Sequence, residues 1–316
     1  MASPIAVVTG GAGFIGSNLA IELVQRGYAV RVVDNFLTGS RQNLVPVMKD
    51  IEMVEGSITD EQLMQKLCKG ADTVFHQAAL PSVPRSIQDP LAANHANVSG
   101  TLSVLLAARD QNVRRVVFAS SSSIYGDAAT DLKTESLLPS PLSPYAATKL
   151  MGELYCKQFM ELYGRETISL RYFNVFGPRQ DPLSQYAAVI PRFIKALLQG
   201  KQPVIYGDGT QSRDFTYIQN VVEANILAST AKITIKNALG NVFNIACGER
   251  ITLIRLVQQL NELLGTAIQP FHDKPRPGDI KHSQADITLA KKMLGFKPAV
   301  SFEEGLQKTI EWFRQH

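Results

Sequence analysis

Short strand-like runs punctuate the chain up to Asn174, at residues 5–9, 30–34, 51–54, 73–76, 116–119 and 168–172. The first five are rich in β-branched residues and apolar rather than alternating, as strands are when helices cover both faces of a sheet. Helical patterns fill the intervals. Residues 14–26 read as an amphipathic helix, and 91–110 and 144–163 as two long ones. Strands alternating with helices imply parallel pairing through right-handed crossovers. The pattern therefore predicts an α/β fold, a doubly wound parallel sheet.

The pattern changes after Asn174. Residues 177–186 are rich in Pro, Gln, Asp and Gly and read as a loop. Short helices and strands then mix at 191–199, 203–206, 221–230, 242–245, 253–264 and 302–314. These segments predict a smaller α/β cap woven from two or three stretches of chain. There is no internal repeat and no low-complexity tract.

Composition narrows the function classes. The 316 residues are 45% hydrophobic and 19% charged, with ample material for a large core. Net charge is +4 and the cations are scattered, so a small anionic ligand is expected rather than nucleic acid. Cys68, Cys156 and Cys247 are far apart and odd in number, which predicts idle thiols in a reducing, cytoplasmic setting. The chain enters a strand directly, without a signal-like segment, and no apolar run approaches the roughly 18 residues of a membrane span. No metal-ligand spacing is present.

The first run ends in Gly10-Gly11-Ala12-Gly13-Phe14-Ile15-Gly16, which gives both GxxGxxG and GxGxxG. Side-chain-free positions let the backbone approach a pyrophosphate, and the amides at the following helix start face its charge. The motif lies between a strand and a helix, which is the context of a Rossmann dinucleotide site. Asp34 ends the second run, 18 residues beyond Gly16. A carboxylate there accepts the adenosine ribose hydroxyls and repels a 2′-phosphate, so NAD is expected over NADP. Arg31 and Arg41 are the residues from which a phosphate clamp could otherwise be built.

Tyr145 and Lys149 form Tyr-x-x-x-Lys at the start of a helix, one turn apart on one face. An ordinary tyrosine is about 0.1% phenolate at pH 7. A nearby ammonium favours the phenolate and would make Tyr145 a usable base. The run Ser120-Ser121-Ser122-Ser123 follows the fifth strand. Ligands in such sheets sit at the carboxyl ends of the strands, so a serine there can share a substrate proton with Tyr145. Spacing favours Ser121; Ser122 and Ser123 are also within reach.

With these residues in view, the chain resembles the extended short-chain dehydrogenase/reductase family. The carriers are Gly10 to Gly16, Asp34, His76-Gln77-Ala78-Ala79, Asn97, Ser121, Tyr145 and Lys149. Within it the chain resembles the UDP-hexose 4-epimerases through Arg171-Tyr172-Phe173-Asn174-Val175-Phe176-Gly177, Arg213-Asp214-Phe215 and Arg276-Pro277-Gly278-Asp279. The stretches around Ser283 and Ala188-Val189 resemble the N-acetylhexosamine-preferring subgroup, the UDP-N-acetylglucosamine 4-epimerases. The resemblance implies a Rossmann domain at 1–174 and 215–249 and a UDP-sugar-binding domain at 175–214 and 250–316. It implies NAD held by Gly10, Gly13, Phe14, Ile15, Gly16, Asp34, Asn35, Thr38, Gly39, Ser57, Ile58, Gln77, Ala78, Ala79, Asn97, Tyr145, Lys149 and Tyr172. It implies a UDP-sugar against Ser82, Ser121, Ser122, Ser123, Tyr145, Asn174, Ala188, Val189, Tyr206, Arg213, Arg276, Asp279 and Ser283, and catalysis by Ser121, Tyr145 and Lys149. Tyr145 would take the C4 hydroxyl proton, Ser121 would hydrogen-bond it, and Lys149 would hold the nicotinamide ribose and lower the Tyr145 pKa. A homodimer through the two long helices is implied as well.

Two departures matter. Serine stands at position 57, where the family usually has an aspartate near the adenine. Ser122 and Ser123 stand where the family's 4,6-dehydratases carry an Asp-Glu pair and its decarboxylases a glutamate, so both of those chemistries lack their side chain here. A small residue at 283 leaves room for an acetamido group where a tyrosine would restrict the pocket to plain hexoses. UDP-hexuronate epimerisation is an alternative chemistry, and a non-catalytic NAD or nucleotide-sugar sensor an alternative class. The intact Ser-Tyr-Lys set argues against the sensor.

Overall fold

A computed structural model describes residues 3–127, 130–181, 188–232, 241–275 and 281–315. Its centre is a parallel sheet of seven strands. In spatial order they are Val242–Ile245, Glu166–Tyr172, Arg115–Ser121, Thr73–His76, Ile5–Thr9, Ala29–Asp34 and Ile51–Glu55. The order reverses between Ile5–Thr9 and Thr73–His76, which opens a crevice at their carboxyl ends. Val7, Val8, Val32, Val74, Phe75 and Val117 are fully buried, which accounts for the unbroken apolar runs.

Glycine and cap chemistry set the helix limits. Helix Phe14–Gln25 starts at Gly13 without a side-chain cap. Helix Pro144–Tyr163 starts with Pro144, whose missing N–H and fixed φ suit a first turn. Ser143 caps it by accepting from the Ala146 amide at 3.1 Å, and Gly164 ends it at φ +64°.

The long helix expected over 91–110 forms with an interruption. Pro90–Asn94 and Gly100–Asp110 are α-helical, and His95–Ser99 between them is a π-turn. The wide turn directs the Asn97 carboxamide inward, where it accepts from the Leu80 amide and donates to the Leu80 carbonyl and the Thr148 hydroxyl.

The remaining chain contributes two-residue and three-residue ribbons. Val175–Phe176 pairs with Thr216–Tyr217, Val204–Tyr206 with Phe271–Asp273, Ser212–Arg213 with Ile251–Thr252, and Leu132–Lys133 with Gln284–Ala285. Helices Val189–Leu198, Leu253–Leu264 and Phe302–Gln315 pack around them. Asp214, wholly buried, stitches these segments to the sheet: its carboxylate accepts the amides of Cys247, Gly248 and Ala285. Desolvation outweighs those bonds and pushes it up to about 7. The expected loop at 177–186 falls partly outside the described residues, at 182–186. No helix among the described residues is long and apolar enough to cross a membrane.

Candidate active site

The glycine turn fits a dinucleotide on its own geometry. Gly10 has φ +65°, and a Cβ there would stand 2.6 Å from the Ala78 Cα. A Cβ on Gly16 would stand 2.2 Å from the Gly10 carbonyl oxygen. Only glycine permits either approach. Gly13 leaves the helix uncapped, so the amides of Phe14, Ile15 and Gly16 have no intrahelical acceptor and open towards the crevice.

Asp34 stands beside this turn. Its carboxylate accepts the amides of Ala12 at 2.9 Å and Phe36 at 2.8 Å. Burial still outweighs these bonds and lifts its pKa above the ordinary value. Neither arginine of a possible 2′-phosphate clamp is spare. Arg31 is held by Glu52 and the carbonyls of Leu67 and Lys69. Arg41 pairs with Glu55 and lies over the Phe36 ring.

The other expected cofactor residues ring the same crevice. Asn35 and Thr38 are exposed, and Gly39 passes within contact of Ala12. Ser57 hydrogen-bonds Thr59 at 2.8 Å, and Ile58 is buried. The Ala78 amide donates to the Thr9 hydroxyl, and Ala79 follows it. Gln77 and Tyr172 share a buried network with Asn225, and burial pushes the Tyr172 phenol up to about 12. The Asn97 carboxamide is committed to Leu80 and Thr148, so it shapes the wall of the crevice.

The three residues expected to be catalytic, Ser121, Tyr145 and Lys149, come together where the fifth strand ends. The Ser121 hydroxyl lies near enough to the Tyr145 phenol to act on it, in the sense that lowers the phenol's pKa. It also accepts from the Ser123 amide at 3.2 Å and the Ser123 hydroxyl at 2.9 Å, which fixes its direction. Of the three serines, then, Ser121 is the one that meets the phenol; Ser122 and Ser123 open the tight turn Ser122–Tyr125.

Lys149 is 4% exposed and donates to the Ala119 carbonyl at 2.8 Å. The expectation that it lowers the Tyr145 pKa is not met by this arrangement. Its nitrogen stands 5.9 Å from the Tyr145 ring centroid and is bonded elsewhere. Burial drives the amine itself down to about 8. Burial also lifts the Tyr145 phenol above its ordinary value, the Ser121 hydroxyl acting in the opposite sense. His76, behind it, is bonded to Thr9 and Thr101 and held neutral by burial, pushed down to about 3.

A buried polar network braces the site from below. Glu153 follows Lys149 by one turn and pairs with Arg171 at 2.8 and 2.9 Å, both side chains 5% exposed. Ser120 donates to Glu153, and Arg171 donates to the Tyr125 hydroxyl, which donates to Asn244. One network thus joins helix Pro144–Tyr163, the turn Ser122–Tyr125 and three strands.

A second cleft, of about 160 Å³, opens beside the sheet and is lined by Asn174, Val189, Tyr206 and Arg213 together with Arg192, Val204, Gln211 and Leu253. The last four were not expected from the sequence. Arg192 had a signal: it lies three residues after Val189 on an amphipathic helix, hence on the same face. Gln211 had none; its amide reaches the Tyr206 carbonyl at 2.6 Å. Asn174 sits at φ +34° and donates to the Asp214 carbonyl. Ala188 precedes helix Val189–Leu198 as its N-cap. Ser82 caps helix Val83–Gln88, and the Ser283 amide donates to the Ser212 carbonyl. Arg276 and Asp279 lie outside the described residues. The cleft is mixed: two guanidinium-bearing residues, an aromatic ring and apolar walls suit a phosphorylated nucleoside.

Among the described residues no cluster of His, Cys, Asp and Glu could hold a metal. Cys68 and Cys156 are buried, and all three thiols are pushed up to about 12 by burial. Such thiols are poor nucleophiles.

Comparison with known proteins places this geometry. The chain is 42% identical to the UDP-N-acetylglucosamine 4-epimerase of Methanobrevibacter ruminantium M1, solved in complex with UDP-N-acetylmuramic acid; the match covers 100% of this chain and 99% of that one, with a TM-score of 0.94. It is 36% identical, over 98% of each chain, to the putative UDP-glucose 4-epimerase of Methanocaldococcus jannaschii. It is also 36% identical to a UDP-N-acetyl-α-D-glucosaminuronate decarboxylase of Bacillus cytotoxicus, over 98% of this chain and 97% of that one. A family model, that of the NAD dependent epimerase/dehydratase family, matches residues 6–246. With its glycine turn, Asp34 and Ser121-Tyr145-Lys149 set, the chain belongs to the NAD dependent epimerase/dehydratase family.

Proposed function

We propose that the protein is a UDP-sugar 4-epimerase that interconverts UDP-N-acetylglucosamine and UDP-N-acetylgalactosamine, with UDP-glucose and UDP-galactose as slower substrates. The observation that carries this reading is the Ser121–Tyr145 hydroxyl pair at the carboxyl end of the fifth strand, with Lys149 on the same helix face and the glycine turn across the crevice. NAD, when bound, supplies the acceptor for the C4 hydride and returns it to the opposite face. Tyr145 takes the proton of the C4 hydroxyl in its phenolate form, which an ammonium at Lys149 would favour once released from the Ala119 carbonyl, and Ser121 hydrogen-bonds both oxygens as the proton moves. Lys149 sits where its amine can leave the Ala119 carbonyl for a ribose hydroxyl. The 4-keto sugar turns about its diphosphate link, held meanwhile at the uridine end by the cleft around Tyr206, Arg192 and Arg213. Residues 1–174 and 215–249 bind NAD in this reading, and 175–214 with 250–316 bind the UDP-sugar.

Two features favour epimerisation over the family's eliminations. Ser122 and Ser123 offer no carboxylate beside the phenol, so neither a dehydratase acid/base pair nor a decarboxylase glutamate is present there. Serine at 283 favours the N-acetylated pair, since it leaves space and a hydroxyl for an acetamido group. The protein is further proposed to be a cytoplasmic homodimer. Leu91, Met151, Leu154 and Leu162, on the helical stretches 90–110 and 144–163, are large, apolar and 42–82% exposed, as a helix-bundle interface would require.

The test is turnover of UDP-N-acetylglucosamine, UDP-glucose and their uronates by wild type and Tyr145→Phe. Loss of one positioned acid/base costs about 10²–10⁴-fold. Near-wild-type turnover in Tyr145→Phe contradicts the reading, as does a wild type inert towards every UDP-sugar.

A further inference from the structure

We propose that Ser86 is a positioning residue for the catalytic base, a role that rests on the reading of Tyr145 given above. Tyr145 is the second residue of its helix, so its backbone N–H has no acceptor within the helix. The capping serine does not serve it: the Ser143 hydroxyl is taken by the Ala146 amide. The acceptor comes from a different helix. The Ser86 hydroxyl, on Val83–Gln88, accepts from the Tyr145 amide at 3.0 Å.

Ser86 is 2% exposed, so water does not replace it. Its own proton goes to the Val83 carbonyl at 2.7 Å. A hydroxyl is the smallest group that both donates to Val83 and accepts from Tyr145. Alanine does neither, and a thiol does both weakly.

The other end of the Tyr145 residue is held within its own helix, by a residue that the same stretch of chain braces. Its carbonyl accepts from the Thr148 hydroxyl at 2.8 Å, and that hydroxyl accepts from Asn97, whose carboxamide also grips the Leu80 backbone. The segment from Leu80 to Asn97 therefore bonds the Tyr145 amide directly through Ser86 and braces its carbonyl indirectly, through Asn97 and Thr148. This segment follows Gln77-Ala78-Ala79 on the crevice wall and carries Ser82, so the base is fixed relative to the surface against which cofactor and sugar must lie. Release of the amide lets the first helical turn relax and the phenol drift from the shared proton. A misplacement of about 1 Å costs up to 10²-fold in rate.

The experiment measures kcat and KM for UDP-N-acetylglucosamine in Ser86→Ala, Ser86→Thr and Ser86→Cys, with thermal unfolding and bound NAD recorded for each. Ser86→Ala is expected to lower kcat about 10-fold or more while KM stays within about 2-fold, because substrate contacts are untouched. Ser86→Thr keeps the oxygen and should recover most of the rate. In the Tyr145→Phe background Ser86→Ala should cost nothing further, since there is no base left to position. A purely structural serine would lower the unfolding temperature, leave kcat unchanged and act equally in both backgrounds; any of those rate results overturns the proposal. Should Ser86→Ala fail to fold, Ser86→Cys decides: kcat below wild type supports the role, and wild-type kcat overturns it. The two readings fail separately. Full activity in Tyr145→Phe removes the function itself, whereas an inactive Tyr145→Phe beside a fully active Ser86→Ala removes only the positioning role.

Discussion

Lys149→Met should make the NAD-free protein more stable while removing its turnover. The amine lies 4% exposed between the Phe118 ring, 5.1 Å away, and the Ala119 carbonyl, with no carboxylate bonded to it. Burial brings it down to about 8. Against an ordinary lysine near 10.4, that displacement corresponds to about 3 kcal/mol of preference for the neutral amine. Below pH 8 the native and unfolded chains both carry the ammonium, so the cost of burying it is fully present. Between about 8 and the unfolded value near 10.4 only the unfolded chain keeps the proton, and stability rises with pH. Methionine fills a similar volume without charge. It leaves the Ala119 carbonyl without its donor, which takes back about 1 kcal/mol. The net gain near pH 7 is about 2 kcal/mol. At ~2.1 cal/mol/K per residue, a 316-residue chain shifts its Tm by about 3 °C for that gain. Thermal unfolding of NAD-stripped wild type and Lys149→Met at pH 7 and pH 10 reads both the gain and its decline at high pH. A mutant less stable than wild type at pH 7, or a difference that does not change with pH, refutes the reasoning.

Other predictions rest on different parts of the molecule. Arg171→Met should destabilise by about 3–5 kcal/mol, because Glu153 is left charged and buried; Glu153→Leu with Arg171→Met should recover most of that, and denaturant titration of the two variants reads the comparison. Apo-protein reconstituted with NAD should turn over far faster than with NADP, since the Asp34 carboxylate stands beside the glycine turn and both Arg31 and Arg41 are occupied; equal rates would show that Asp34 does not discriminate. Ser283→Tyr should lose activity on the N-acetylated sugars and keep it on UDP-glucose, as a sugar-swap assay would show. Unchanged activity on the N-acetylated pair would mean that Ser283 is not the gate.

Much of this was legible because the fold depends on local signals. The five strands up to Arg115–Ser121 are bounded by glycines, turns and Asp34, and their apolar runs end within a residue or two of the observed limits. Helix Pro144–Tyr163 carries its own start and stop in Ser143, Pro144 and Gly164. The π-turn at His95–Ser99 was not legible, because one extra residue in a turn leaves the apolar period of the long helix almost unchanged. Val204–Tyr206 falls within the expected segment 203–206, but the two-residue ribbons of the smaller half were missed for a related reason: such strands are too short to show any period. Spacing placed Tyr145 and Lys149 on one face, yet could not say that the amine would bond the Ala119 carbonyl, which is a tertiary contact. Gln211 joins the cleft only through tertiary folding, whereas Arg192 follows from its helix spacing to Val189. Substrate residues were legible through resemblance rather than through pattern, and two of them, Arg276 and Asp279, lie outside the described residues.

The most direct test of the central claim follows the hydrogen at C4. UDP-N-acetylglucosamine labelled with deuterium at C4 should be converted, with no added NAD, to an equilibrium mixture with UDP-N-acetylgalactosamine that keeps the label at C4 and takes up no solvent deuterium or protium there. Retention means that the same hydride left the carbon and came back within one closed site. Loss of the label to solvent, or no UDP-N-acetylgalactosamine at all from an NAD-loaded protein, would contradict the account.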